Sequence, residues 1–222
     1  MSRKPKLEKY SELGTFPNVI QVSETGVSPL RLSHRWKDSP FHGRAPLALE
    51  VGCGSAEHTL SMARNDPRRY CIGLDIKGNR LWHGARTALD ENLSNALFIR
   101  MRAEYINAYF PEKILDEIWI TFPDPHHHSE ARNSARRLTS PRFLETYRDV
   151  LCPGGTIHLK TDDEFTYRYT LRNVNAMGGT VLFAAEDLYA AEQPEEIVRS
   201  TTTYEERFIR KNRSIKYLKC SL

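Results

Sequence analysis

The amino-acid sequence predicts a single-domain, doubly wound α/β fold built on a mostly parallel sheet. Two observations predict it. Short apolar runs of strand length alternate with segments of helical period along residues 46–160, and strands that alternate with helices pair in parallel through right-handed crossovers. The chain has 222 residues, 40% hydrophobic and 27% charged, which is the size and balance of one globular domain and the wrong balance for disorder.

A polar, basic N-terminal arm occupies about residues 1–40. Pro46 to Val51 then reads as a buried strand, stopped by Gly52-Cys53-Gly54. Ser55 is placed to cap a helix whose apolar face is Ala56, Leu60 and Ala63. Arg69 to Leu74 forms a second strand ending at Asp75, and Lys77 to Asp90 a helix around Leu81, Ala85 and Leu89. Ala96 to Met101 is a third strand and Glu117 to Thr121 a fourth. Ser140-Pro141 opens a helix with Phe143, Leu144, Tyr147, Val150 and Leu151 inward, the proline sitting in the first turn, where its missing N–H costs nothing. Pro153-Gly154-Gly155 stops that helix, and Thr156 to Lys160 is a fifth strand. There is no internal repeat and no interdomain linker.

No apolar run reaches bilayer length, and the opening Met1-Ser2-Arg3-Lys4-Pro5 lacks the hydrophobic core of a signal peptide. Cys53, Cys71, Cys152 and Cys220 show no metal-ligand spacing, so reduced thiols in a cytoplasmic protein are expected. The formal charge of +4 is segregated: residues 1–9 carry +3, residues 126–142 carry +3 and residues 205–219 carry +4, which leaves the remainder at −6. Such clustering points to a polyanionic partner, although each segment alone could be a solvated surface.

The first strand runs into Glu50-Val51-Gly52-Cys53-Gly54. Two glycines at a strand-to-helix turn let the backbone pass close to a ligand. Asp75, 25 residues beyond Glu50, is placed to accept both hydrogen bonds of a ribose diol. That much fits NAD as well as S-adenosylmethionine. Glu50 favours the latter, because a carboxylate before the first glycine opposes a pyrophosphate and suits the cationic amino-acid end of the methyl donor. Ala56 stands where a third phosphate-cradling glycine would be. The bland alternative is a tight turn with a helix-capping carboxylate.

The fourth strand leads into Thr121-Phe122-Pro123-Asp124-Pro125 and the fifth into Thr161-Asp162-Asp163. Ligand crevices of open α/β sheets lie beyond the carboxyl ends of the strands. Glu50, Asp75, Asp124 and Asp162 all fall at such ends, and two prolines are expected to hold the backbone around Asp124 extended.

With these motifs the sequence resembles the bacterial tRNA (guanine-N7-)-methyltransferase family over nearly its whole length. The resemblance is carried by Leu49-Glu50-Val51-Gly52-Cys53-Gly54, Gly73-Leu74-Asp75, Phe122-Pro123-Asp124-Pro125, Arg136-Arg137-Leu138, His158-Leu159-Lys160-Thr161-Asp162, Glu186-Asp187-Leu188-Tyr189 and Thr202-Thr203-Tyr204-Glu205. It implies a Rossmann-like, seven-stranded class I methyltransferase with helices on both faces. S-adenosylmethionine is the implied cofactor, held by Glu50, Gly52, Gly54, Asp75, Arg102 and Asp124. The implied partner is tRNA, methylated on its variable-loop guanosine. Asp162 and Thr202 to Glu205 would meet the guanosine, with Asp124 and Asp162 as the catalytic pair. His128, Arg132, Arg136 and Arg137 would meet tRNA phosphates. His126 and His128 stand where the family has an aromatic residue and a lysine, and Arg102 where a small polar or acidic residue is common, so that its contact would run through the backbone.

Three consecutive histidines, His126-His127-His128, cannot easily all face one ion, so no metal is expected. No membrane is implied either, and no partner subunit beyond a monomer or homodimer. An inactive methyltransferase-fold RNA-binding protein, a methyltransferase acting on another RNA or a small molecule, and a nicotinamide dehydrogenase are the rival readings.

Overall fold

In the computed structural model, residues 4–22, 36–127, 136–192 and 202–222 are described. The chain divides into two compact units, Met1–Pro111 and Glu112–Leu222.

The first unit begins with helix α1 (Lys6–Leu13) and strand β1 (Val19–Gln21). Strand β2 (Leu47–Val51), helix α2 (Glu57–Asn65), strand β3 (Tyr70–Asp75), helix α3 (Gly78–Asp90) and strand β4 (Ala96–Arg100) follow. Helix α4 (Ile106–Tyr109) closes the unit after a turn at Ala103–Tyr105. The strands lie in the order β1-β4-β3-β2, and each pairing is parallel. All of β2 is buried, as is nearly all of β3 and β4. Such strands read as continuous apolar runs because helices cover them.

The expected polar arm is folded where it is described. Lys9 is buried, its ammonium 2.8 Å from the His83 ring and 5.1 Å from the Trp82 ring centre. The Trp82 indole N–H donates to Glu12, and β1 adds a parallel edge to β4. Half the residues of α1 are charged, and its buried positions are Leu13 and Lys9, the latter through its stem.

In α2 the expected face is correct, with Ala56, Leu60 and Ala63 buried. The cap is not: Ala56, with φ 61°, takes the N-cap position expected of Ser55. In α3, Leu81 and Ala85 are buried as expected, and Ala88 is buried where Leu89 was expected.

The second unit contains strand β5 (Leu115–Thr121), helix α5 (Pro141–Val150), strand β6 (Leu151–Thr161) and helix α6 (Glu164–Ala176). Strand β7 (Thr180–Ala185), helix α7 (Thr203–Ile209) and strand β8 (Lys216–Ser221) complete it. Their order is β5-β6-β8-β7; β5 and β6 are parallel, and β8 runs antiparallel to both β6 and β7. Pro141 opens α5 as expected, with Phe143, Leu144, Tyr147 and Val150 buried.

Pro153-Gly154-Gly155 does not separate helix from strand. Helix α5 gives way at Leu151, already extended at ψ 136°, and the Pro-Gly-Gly segment lies inside β6 as a bulge. Leu115 pairs with Leu151 and Glu117 with Thr156, so four residues oppose Asp116 alone. Each unit thus contributes four strands, one more in total than the resemblance implied; the additional one is β1, too short to stand out in a polar segment.

Candidate functional site

The turn after β2 is built by backbone donors. Gly52 and Cys53 N–H groups both donate to the Leu74 carbonyl, at 2.8 and 3.0 Å. Asp75 ties this turn to the next one: its Oδ2 accepts from Gly54 N–H at 2.9 Å and its Oδ1 from Lys77 N–H at 2.7 Å. Each carboxylate oxygen can accept a further bond, so the acceptor pair expected for a ribose diol is held in a fixed orientation. Gly54 has φ +58°, and a side chain there would point into open space. A bare backbone is therefore presented to a ligand. At Gly84 a Cβ would come within 2.5 Å of the Ala56 methyl, so the glycine lets α3 approach the start of α2 closely.

Glu50 is almost fully buried and accepts from the backbone N–H of Thr59 at 2.8 Å and from its hydroxyl. Thr59 is the third residue of α2, so Glu50 satisfies an N-terminal donor that Ala56 has no side chain to reach. The capping alternative therefore holds for Glu50, at least for one oxygen. The Cys53 thiol reports the local field. Its burial, and then the charges of Glu50 and Asp75, push its pKa well above the ordinary thiol value. The two carboxylates beside the turn suit a cationic ligand, and together with the open backbone at Gly54 these residues fit S-adenosylmethionine. Arg102 is spoken for in part, its guanidinium donating to Glu104 at 3.0 Å.

In the second unit, the loop after β5 is not extended throughout. Phe122 at φ 47° and His126 at φ 48° flank Pro123-Asp124-Pro125 with left-handed backbone, a strained conformation for such residues that costs roughly 1–3 kcal/mol each. Phe122 is held by its N–H to the Lys160 carbonyl at 2.8 Å and by its ring against Phe208 at 5.7 Å. Asp124 is exposed.

Arg137, expected on a tRNA phosphate, instead clamps this loop. It donates to the Pro125 carbonyl at 3.2 Å and the His126 carbonyl at 2.9 Å. Its guanidinium also lies 4.7 Å from the Phe165 ring centre and 4.9 Å from that of Tyr169. The planar fork of arginine serves both kinds of contact at once. His127 sits 2.9 Å from Asp163 Oδ1 rather than facing solvent alone. Arg136 is exposed; His128 and Arg132 lie outside the described residues.

Asp163, not Asp162, caps α6, accepting from Thr166 N–H at 2.7 Å. Asp162 is released from that duty and pairs with Arg213 at 2.8 Å. Glu205 departs furthest from expectation. It is fully buried, accepts from both Lys160 (3.0 and 3.2 Å) and the Tyr189 hydroxyl (2.7 Å), and shares a capping box with Thr202. Its oxygens are thereby committed to the protein, and a direct bond to guanine is not available to it in this arrangement. In the same segment Thr203 and Tyr204 are exposed. The pairings of Lys160 and Arg213 were not legible in the sequence because nothing local marks a partner 45 or 51 residues away.

Among the described residues no group of three or more His, Cys, Asp and Glu side chains could hold a metal ion, and no helix is long and apolar enough to cross a membrane.

Comparison with known proteins gives the same assignment from an independent direction. Residues 44–218 match the family described as "Putative methyltransferase". The tRNA (guanine-N(7)-)-methyltransferase of Christiangramia forsetii is 40% identical over 222 residues, covering 99% of this chain and 98% of that protein. That of Porphyromonas gingivalis is 40% identical over 94% of this chain and 86% of its own length. In fold, the chain is similar to the 16S rRNA methyltransferase KamB (TM-score 0.59, 16% identity, 85% of this chain and 91% of that one). It is similar also to the 30S ribosomal A1408 methyltransferase from an uncultured bacterium (TM-score 0.60, 14% identity, 91% and 98%). These likenesses give the Rossmann-like, class I methyltransferase fold. The chain belongs to the family of tRNA (guanine-N7-)-methyltransferases.

Proposed function

We propose that this protein transfers the methyl group of S-adenosylmethionine to N7 of a tRNA guanosine, in the variable loop. The observation that carries the reading is the near-full-length identity to tRNA (guanine-N(7)-)-methyltransferases, joined to a first unit whose Gly54 turn and Asp75 fit the donor.

Bound S-adenosylmethionine supplies an electrophilic methyl on a sulfonium. Guanine N7 carries a free lone pair, so the N7–carbon bond forms as the carbon–sulfur bond breaks, and no proton has to leave. The positive charge passes from sulfur to the guanine ring. The protein therefore needs no general base, and its work is alignment, the entropic contribution enzymes can make large.

Asp75 would take the ribose hydroxyls, the Gly52–Gly54 backbone would face the donor, and Glu50 would keep its surroundings anionic. Arg102 contributes through its backbone. Asp162 accepts from guanine N1–H and the 2-amino group, orienting N7 and rejecting adenine, which presents no such pair of donors. Asp124, on its strained and clamped loop, is the second carboxylate we assign to orienting the guanosine. The guanosine reaches its carboxylate only when unstacked from the RNA. Arg136, with His128 and Arg132, holds tRNA phosphates, a contact whose strength falls with salt. Arg137, Thr202 and Glu205 act by holding the loop and the start of α7.

The direct test is to incubate the protein with unmodified tRNA and S-adenosylmethionine and map 7-methylguanosine by nucleoside mass spectrometry and chain cleavage. Modification at one variable-loop guanosine is expected. Methylation elsewhere, or none, contradicts the proposal.

A further inference from the structure

The second unit also carries a cavity that the proposed chemistry leaves unused. It encloses about 590 Å³ beside the start of α6, and His127, Asp163, Phe165, Arg168, Tyr169 and Arg172 line it. That volume lies in the range of sites for molecules the size of a nucleotide.

Its floor is a rigid aromatic platform. Phe165 and Tyr169 stand one helical turn apart on α6, so they share a face, and their rings are nearly parallel at 5.8 Å and 20°. Arg137 lies over both rings, and His127 meets Phe165 edge-on at 5.5 Å. Phe165 nevertheless remains 40% exposed. A large apolar ring fixed by its neighbours and left open loses little conformational freedom when something flat stacks on it.

The acids around the cavity are already engaged. Asp163 accepts from the N-terminus of α6 and pairs with His127. Glu164 pairs with Arg168 and Lys216, and Arg168 also reaches Glu186. Arg172, exposed and 5.6 Å from the Tyr169 ring centre, is the cation of this lining that stands in no ion pair among the described residues. An open π-face next to an unneutralised guanidinium is complementary to a base and its phosphate.

We propose that this cavity binds a second nucleotide of the RNA substrate, next to the unstacked guanosine, with its base on Phe165 and its phosphate on Arg172. The proposal rests on the methyl-transfer reading above and locates the cavity beside it: Asp163, on the cavity wall, directly follows Asp162, the residue assigned to guanine. Pulling one base out of a stack leaves its neighbour without a partner, and Phe165 replaces the lost surface. Stacking of this kind is tolerant of base identity, so the cavity adds affinity and holds the RNA open without adding a sequence requirement.

The test uses the full-length protein and an unmodified tRNA transcript. Phe165→Leu keeps apolar bulk but removes the π-face, and Arg172→Gln removes the charge. Each is expected to raise KM for tRNA about tenfold, with S-adenosylhomocysteine affinity unchanged, and Arg172→Gln should also keep kcat at saturating tRNA and the melting temperature of the wild type. Arg172→Gln should also reduce the logarithmic salt slope of tRNA binding by about one phosphate. Phe165→Trp is expected to retain wild-type KM, and tRNA should quench the introduced indole. Guanosine monophosphate, at concentrations where tRNA saturates, should not.

Wild-type KM in both Phe165→Leu and Arg172→Gln, or saturable quenching by the mononucleotide with none by tRNA, overturns the proposal. If the wild-type protein binds tRNA but methylates nothing, the methyl-transfer reading fails instead, and quenching by tRNA still decides the cavity.

Discussion

The ammonium of Lys160 donates to both carboxylate oxygens of Glu205, at 3.0 and 3.2 Å, and both side chains are fully buried. The pair ties the end of β6 to the first turn of α7, and Tyr189 adds a third bond to the same carboxylate. Removing one partner leaves the other as an uncompensated buried charge, at a cost of about 3–5 kcal/mol. Lys160→Met and Glu205→Gln are each expected to lower the melting temperature by about 10 °C, the shift such an energy produces in a protein of this size. The double variant should lose less than the sum of the two. Calorimetric melting of the three variants decides it, and single variants that melt with the wild type would show that the pair contributes nothing net. Loss of methylation in Glu205→Gln should then follow loss of folded protein, not loss of a guanine contact.

Arg137 gives a second expectation. Its fork reaches two carbonyls of the loop that carries Asp124 while its plane packs on Phe165 and Tyr169. Lysine keeps the charge but cannot reproduce that geometry. Arg137→Lys should reduce kcat by up to about 10²-fold through misplacement of the loop, with S-adenosylhomocysteine affinity within twofold of wild type. A pure rise in KM for tRNA would return Arg137 to the phosphate-binding role expected from the sequence.

At the donor turn, Asp75→Ala removes an acceptor from Gly54 N–H, from Lys77 N–H and from the proposed ribose bonds. Each charge-assisted bond is worth about 1.5–3 kcal/mol. S-adenosylhomocysteine affinity should therefore fall tenfold or more by titration calorimetry, while tRNA binding measured without donor is preserved. Unchanged affinity would remove Asp75 from the donor site.

The order of strands and helices between Pro46 and Thr161 was legible because parallel strands covered by helices are written as apolar runs, and glycine or aspartate at their ends marks the turns. Three things were hidden. The N-terminal segment hid α1 and β1, since Lys9 buries its stem while counting as a charge. The bulge at Pro153-Gly154-Gly155 looked like a stop, because those residues break both helix and ladder and the pairing of Leu115 with Leu151 is not a local property. The basic segments looked uniformly available for phosphate. In the structure Arg137 is bound to carbonyls and aromatic rings, Arg213 to Asp162 and Lys216 to Glu164. Which arginine faces solvent is decided by contacts that no spacing encodes. The site carboxylates were legible as residues and only partly as roles: Asp75 also ties two backbone turns together, Glu50 is a remote helix cap as well, and Asp162 and Asp163 divide between pairing and capping.

That division leads to the final expectation. Asp163 holds α6, so Asp162 has no capping duty, and its one described partner is Arg213 at 2.8 Å. The Arg213 side chain is 60% exposed, and an ion pair so open to water is worth only about 0–1 kcal/mol. It can orient Asp162 and still yield to a ligand. The Watson–Crick edge of guanine offers N1–H and an amino group, both donors, and a carboxylate accepts both. Asp162→Asn places an NH2 against one of them, a buried mismatch of about 1–3 kcal/mol. Methylation should fall roughly 5- to 150-fold, with S-adenosylhomocysteine affinity and melting temperature unchanged. Arg213→Ala, which removes the weak exposed partner together with its contact over the Phe208 ring, should change the rate by less than about fivefold. Inosine at the target position keeps N7 but lacks the 2-amino group, so it should slow the wild-type enzyme and have a much smaller effect on Asp162→Asn, because the bond it deletes is already compromised. Equal slowing of both proteins by inosine would show that Asp162 does not read that amino group, and a loss of donor affinity in Asp162→Asn would move the residue to the other ligand.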